Sequence, residues 1–135
     1  MMGAALVVTW WLVARNDLAL DAETVRPGVS IVMPAYNEKP VIEAAIRNAS
    51  RQDYPTVEII VVDDGSTDGT LETIIGAFGL DQVDVELRAD LPTTAVRAAY
   101  ARERGPGDLR PSLLVLSIEP SGSKAAAANA GVSAA

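Results

Sequence analysis

The residues of this 135-residue chain best suited to chemistry stand in two short clusters, Tyr36-Asn37-Glu38 and Asp63-Asp64. Each cluster closes an apolar run. An ionised carboxylate only accepts hydrogen bonds, so a carboxylate pair suits an N–H or O–H donor and repels phosphate. A tyrosine ring offers a flat face for stacking. Uracil meets both demands. Its N3–H lies between two carbonyl acceptors, and Asp63 or Asp64 could take that proton in a charge-assisted bond, about twice as strong as a neutral one. Cytosine in its usual form has no N3–H and would be refused. The plain alternative is that Asp63–Gly69 (DDGSTDG) is only a turn and helix cap. That would account for one Asp, but less well for a pair directly after a six-residue apolar run.

Those clusters need strands to hold them. Val29–Met33 is a continuous, β-branched apolar run closed by Pro34, and Val57–Val62 repeats the pattern; both read as strands buried on two faces. Lys39–Arg51 reads as a helix with Val41, Ile42, Ala45, Ile46 and Ala49 on one stripe. Glu43 and Arg47 form an i, i+4 pair on its other face. A second helix follows the second strand. Ser66 or Thr67 caps it, Leu71, Ile74, Ile75 and Phe78 form its buried stripe, and Gly79 ends it. Two strand–helix units in succession imply right-handed crossovers and a parallel sheet, with a ligand crevice outside the carboxyl ends of the strands. Further on, Val83–Leu87 alternates as a short exposed strand would. Thr94–Arg104 reads as an amphipathic helix, Ser112–Ile118 as a third apolar strand, and Lys124–Ala135 as an alanine-rich helix. About three parallel strands and one edge strand are few for this architecture, where five or six are usual. Part of a longer protein is therefore expected.

Composition narrows the chemistry. There is no histidine and no cysteine, which excludes His- and thiolate-based zinc sites, Ser-His and Cys-His nucleophile pairs, and disulfides. A net charge of −7 without a basic cluster argues against nucleic acid as a partner. The first turn, Pro34–Pro40 (PAYNEKP), has no glycine, so the G-x-G-x-x-G cradle of a dinucleotide site is missing. Residues 1–14 carry no charged side chain but fall short of the roughly 20 apolar residues of a spanning helix. They fit half of a transmembrane helix, an interfacial anchor through Trp10 and Trp11, or a packed N-terminal helix. Membrane association is the favoured reading, and Arg15 places the rest of the chain on the cytoplasmic side. Residues 15–28, ending in Pro27-Gly28, form a linker.

The segments SIVMPAYNE and VEIIVVDDGSTDGT together closely resemble the inverting glycosyltransferases of family 2, which have the GT-A fold. Ser123–Gly131 (SKAAAANAG) is similar to that family's glycine-glycine-lysine segment and the helix it opens. The resemblance implies an α/β fold: a partial GT-A, Rossmann-like parallel sheet flanked by helices, with residues 29–135 as its nucleotide-sugar-binding part. It implies a nucleotide-binding set of Pro34, Ala35, Tyr36, Glu38, Asp63, Asp64 and Lys124. Pro34 and Tyr36 would line a uracil pocket, Glu38 would sit at the nucleotide edge, Asp64 would contact uracil, Asp63 would support it or bind ribose, and Lys124 would lie near the diphosphate. The donor implied is a UDP-sugar. The acceptor is a hydroxyl of a glycan or lipid-linked glycan, attacked with inversion in polysaccharide or cell-envelope synthesis. The chain departs from the pattern at Ser121-Gly122-Ser123, Ala126 and Ala128. No Asp or Glu follows Glu119. The Asp-x-Asp that carries Mg²⁺ or Mn²⁺ and the catalytic base are therefore expected downstream, and this chain alone is expected to be inactive. Two other readings stand beside this one. A phosphorylation receiver would need a phospho-accepting Asp after a middle strand, and the one candidate, Asp108, lies in a Gly-Pro-Gly-Asp loop with no predicted strand before it. A catalytically silent truncated product is the other.

Overall fold

The protein is described by a computed structural model covering residues 28–54, 57–88, 94–102 and 112–135. The expectations for residues 1–14 and for most of the linker fall outside these residues. Among the described residues, no helix is long and apolar enough to cross a membrane.

The two apolar runs are strands, β1 (Val29–Ala35) and β2 (Val57–Asp63), paired in parallel from Val29↔Val57 to Ala35↔Asp63. The third, β5 (Ser112–Ile118), lies parallel to β2 on its other side. Between β2 and β5 in sequence come β3 (Asp81–Val83) and β4 (Val96–Arg102). The spatial order is β1-β2-β5-β4-β3, with β4 antiparallel to both its neighbours. The sheet therefore has five strands, of which β4 runs against the rest.

Side chains alternate across the sheet because the strand period is two. Ile31, Met33, Ile59, Val61 and Val115 face one side, where α1 (Ile42–Ala49) and α2 (Thr70–Phe78) cover them with Ile42, Ile46 and Ile74. Val32, Ile60, Val62, Leu116 and Ile118 face the other side, where α3 (Lys124–Ala134) contributes Ala127 and Ala130. Each Ile or Val buried here is worth about 1.5–3 kcal/mol. An alanine-rich helix carries little side-chain bulk, so α3 lies close to the sheet. A Cβ on Gly131 would sit 2.3 Å from Val32 Cγ1 and 3.1 Å from Val62 Cγ2.

Four expectations are corrected. Thr94–Arg104 is not a helix, because its centre is β4. A β-bulge between Val96 and Ala98 shifts the register, so Val96 and Ala99 lean on the same apolar cluster three residues apart. That spacing imitates a helical stripe. The small helix propensity of the alanines and arginines, below about 0.7 kcal/mol per residue, yields to a ladder running to Arg102↔Leu113. The strand expected over Val83–Leu87 lies earlier, at Asp81–Val83, while Val83, Val85 and Leu87 still pack on the α3 side. Helix α1 is shorter than Lys39–Arg51. Val41 and Ile42 both donate backbone N–H groups to the Glu38 carbonyl in a turn, which leaves Val41 44% exposed and off the buried stripe. Finally, neither Ser66 nor Thr67 caps α2. Gly69, at φ +90°, precedes it, and the Asp68 carboxylate accepts the Thr70 N–H.

Candidate functional site

The connections locate the crevice. Helices α1 and α2 leave β1 and β2 over one face of the sheet, and α3 leaves β5 over the other. Neighbouring strands whose connections depart over opposite faces define a switch point, and ligands bind outside the carboxyl ends of the strands there. That point lies between β2 and β5. The crevice is thus bounded by Asp63-Asp64-Gly65 on one side and Glu119-Pro120-Ser121 on the other, with the β1 tip alongside.

The β1 and β2 tips are latched to each other. Asn37 adopts a left-handed φ of 49°, which a short polar side chain tolerates better than most. Its N–H donates to Ser66 Oγ at 2.9 Å, and its Oδ1 accepts from the Thr67 N–H at 2.8 Å. The Glu38 N–H donates to Thr70 Oγ1 at 3.0 Å, and the Lys39 N–H to Asp68 Oδ2 at 3.2 Å. Hydrogen bonds from Thr70 hold the Asp68 carboxyl below its ordinary range. Ser66 and Thr67 thus join two strand tips instead of capping a helix.

The two neighbouring aspartates have different surroundings. Asp63 stands between Ala35 of β1 and Ser117 of β5 and is 3% exposed. Burial pushes its carboxyl pKa up, while bonds from the Ser66 hydroxyl and N–H pull it down. Its Oδ1 is buried with no hydrogen-bond partner among the described residues. Asp64 is half-buried, and its N–H extends the ladder to the Ala35 carbonyl at 2.9 Å. Both of its carboxylate oxygens are met by one residue across the crevice. The Ser121 N–H reaches Oδ1 at 2.7 Å and the Ser121 hydroxyl reaches Oδ2 at 2.8 Å. Gly65, at φ +74°, lets the loop close on it, since a Cβ there would be 2.5 Å from Pro120 Cγ.

The other members of the expected set gather at the same end of the sheet. Ala35 is buried and Pro34 and Glu38 are half-buried. The Tyr36 side chain is 58% exposed, so its ring is open to a stacking partner. Lys124 is exposed at the first position of α3, where Ser123 caps the helix by accepting the Ala126 N–H. Sequence reasoning missed Asn37, Gly65 and Ser121 as structural partners of the set. It also missed the exposed Arg97–Glu119 pair, with contacts of 2.7 Å, at the β5 end. Asn37 and Gly65 had a local signal, being residue types that tolerate positive φ. The Asp64–Ser121 contact spans 57 residues and had none. Among the described residues, no group of three or more Asp, Glu, His or Cys side chains is placed to hold a metal ion.

The receiver reading loses a premise and gains an obstacle. A strand, β4, does precede the loop that contains Asp108, although Asp108 itself lies outside the described residues. That strand is antiparallel to its neighbours, whereas a receiver's doubly wound sheet of order 2-1-3-4-5 is parallel.

A mixed sheet with helices on both faces and a polar crevice at its switch point defines an α/β nucleotide-binding type of domain, here a partial GT-A, Rossmann-like unit. Residues 30–82 match the family model described as "Glycosyl transferase family 2", and the chain is a family 2 glycosyltransferase segment. It is 42% identical over 56 residues to an uncharacterized glycosyltransferase of Haemophilus influenzae, a match covering 42% of this chain and 22% of that protein. It is 48% identical over 46 residues to the Escherichia coli UDP-Glc:alpha-D-GlcNAc-diphosphoundecaprenol beta-1,3-glucosyltransferase WfaP, covering 34% and 18%. It is 38% identical over 85 residues to the succinoglycan biosynthesis protein ExoO of Rhizobium meliloti, covering 62% and 20%. The chain thus spans about a fifth of the length of these relatives. No solved structure matches it.

Proposed function

We propose that this chain is the donor-recognition part of a glycosyltransferase that uses a UDP-sugar. The observation that carries the reading is one juxtaposition at the switch point. An exposed aromatic ring, Tyr36, shares the strand tips with a half-buried carboxylate, Asp64, that keeps acceptor capacity after its two bonds to Ser121. The uracil ring stacks on Tyr36 and gives its N3–H to Asp64. Pro34, Ala35 and Glu38 form the floor and edge of that pocket, and Asp63 supports its neighbour or receives a ribose hydroxyl at the orphaned Oδ1. Lys124 supplies one cation for the diphosphate of an otherwise acidic domain.

In the intact enzyme, an acceptor hydroxyl attacks the anomeric carbon and the nucleoside diphosphate leaves, inverting the configuration. General-base activation of that hydroxyl and a divalent cation, Mg²⁺ or Mn²⁺, complete the proposal. The metal would withdraw charge from the departing diphosphate. A glycan or lipid-linked glycan acceptor at a membrane follows from relatives such as WfaP, whose name contains a diphosphoundecaprenol acceptor and a UDP-glucose donor. The test is a transfer assay on the intact enzyme with a panel of UDP-sugars, following UDP release and the anomeric proton of the product by NMR. Release of UDP with inverted product supports the reading. Turnover only with a different nucleotide, or retention of configuration, refutes it.

A further inference from the structure

We propose that Ser121 is a specificity-determining positioning residue that holds the Asp64 carboxylate in the orientation that reads uracil; this rests on the donor reading above. A carboxylate has about four lone-pair sites. Ser121 fills one on each oxygen, at 2.7 Å and 2.8 Å, from two donors of a single residue. Two donors at fixed separation leave the carboxylate plane little freedom to rotate, and one lone pair on each oxygen stays available.

The Ser121 hydroxyl is itself held. It accepts the Ser123 N–H at 3.1 Å, and it stands 2.8 Å from both Asp64 Oδ2 and the Ser123 carbonyl. It has one proton to donate, and the charged acceptor makes the stronger bond. The loop is kept on the crevice by Pro120 against Gly65, and it runs directly into the Ser123 cap of α3. The residue that orients Asp64 is therefore three positions from Lys124, so base reading and the diphosphate end share one short rigid segment.

The experiment is calorimetric titration of the full chain with UDP and with CDP, for wild type, Ser121→Ala and Ser121→Thr. Alanine keeps the backbone N–H but removes the hydroxyl. UDP affinity is expected to fall roughly tenfold while CDP affinity stays, so the UDP/CDP ratio falls by the same factor. Threonine, which keeps the hydroxyl, restores the ratio. Equal loss for UDP and CDP, or no loss at all, overturns the role of Ser121 while leaving the donor reading intact. Failure of the wild type to bind UDP overturns both.

Discussion

Gly76 and Gly131 both lie near the C-terminal ends of helices, and the structure assigns opposite signs to the same substitution at the two sites. A Cβ on Gly76 meets nothing within 4 Å. Gly76→Ala therefore gains only helix propensity, about 0.8–1 kcal/mol. A Cβ on Gly131 lands 2.3 Å from Val32 Cγ1 and 3.1 Å from Val62 Cγ2. Those valines are 1% and 0% exposed on neighbouring strands, and β-branched side chains have few alternative rotamers. Overpacking of this kind costs about 1–3 kcal/mol, and the severity of the contact puts Gly131→Ala toward the upper end. After the same propensity gain, a net loss of about 1–2 kcal/mol remains. The two variants should then differ by about 2–3 kcal/mol, or roughly 1.5 M in urea midpoint at a slope near 1.5 kcal/mol/M. Urea unfolding followed by far-UV circular dichroism reads this directly. If Gly131→Ala stabilised the chain as Gly76→Ala does, α3 would not pack on β1 and β2 as described.

The strand tips carry further expectations. Asn37→Gly loses the bond to the Thr67 N–H, about 1 kcal/mol. Asn37→Ala adds a left-handed backbone penalty of about 1 kcal/mol more, so glycine should be the milder change in urea unfolding, and the reverse order would refute the latch. Because burial raises the Asp63 pKa above its ordinary 3.8, the folded chain holds that proton more tightly than the unfolded chain. The stability contributed is present in acid and lost as pH rises from about 3.8 through the raised folded value. Asp63→Asn should remove that slope, so wild type loses ground to the variant from acid toward neutral pH; a constant difference would count against it. Tyr36→Ala should leave stability within about 0.5 kcal/mol but weaken UDP binding about tenfold or more through lost stacking, measured by calorimetry. Lys124→Gln should weaken UDP more than uridine in the same measurement.

Much of this fold was legible because β1, β2 and β5 are unbroken β-branched runs, and such runs are buried on both faces only in a covered, largely parallel sheet. β4 was not legible, because one bulged residue turned a period of two into a spacing of three at Val96 and Ala99. The clusters at 34–38 and 63–64 were visible because apolar runs stop abruptly at polar groups. The contacts that join them were only partly visible. Asn37 could be suspected from its residue type, but its partners Ser66 and Thr67 looked like cap residues until their side chains were placed. The switch point lies between β2 and β5, not β1 and β2, because it depends on which face α3 takes. Ser121 entered the site for the same reason: a contact across 57 residues leaves no local pattern.

The central claim is that a uridine nucleotide binds at the carboxyl ends of β1, β2 and β5. An amide-resolved NMR titration of the full chain with UDP tests it most directly. Shifts are expected to concentrate at residues 34–38, 63–66 and 119–124, with Ser30, Glu58 and Ser112 at the opposite ends of the strands unmoved. Shifts centred on those opposite ends, or none at millimolar UDP, would contradict it.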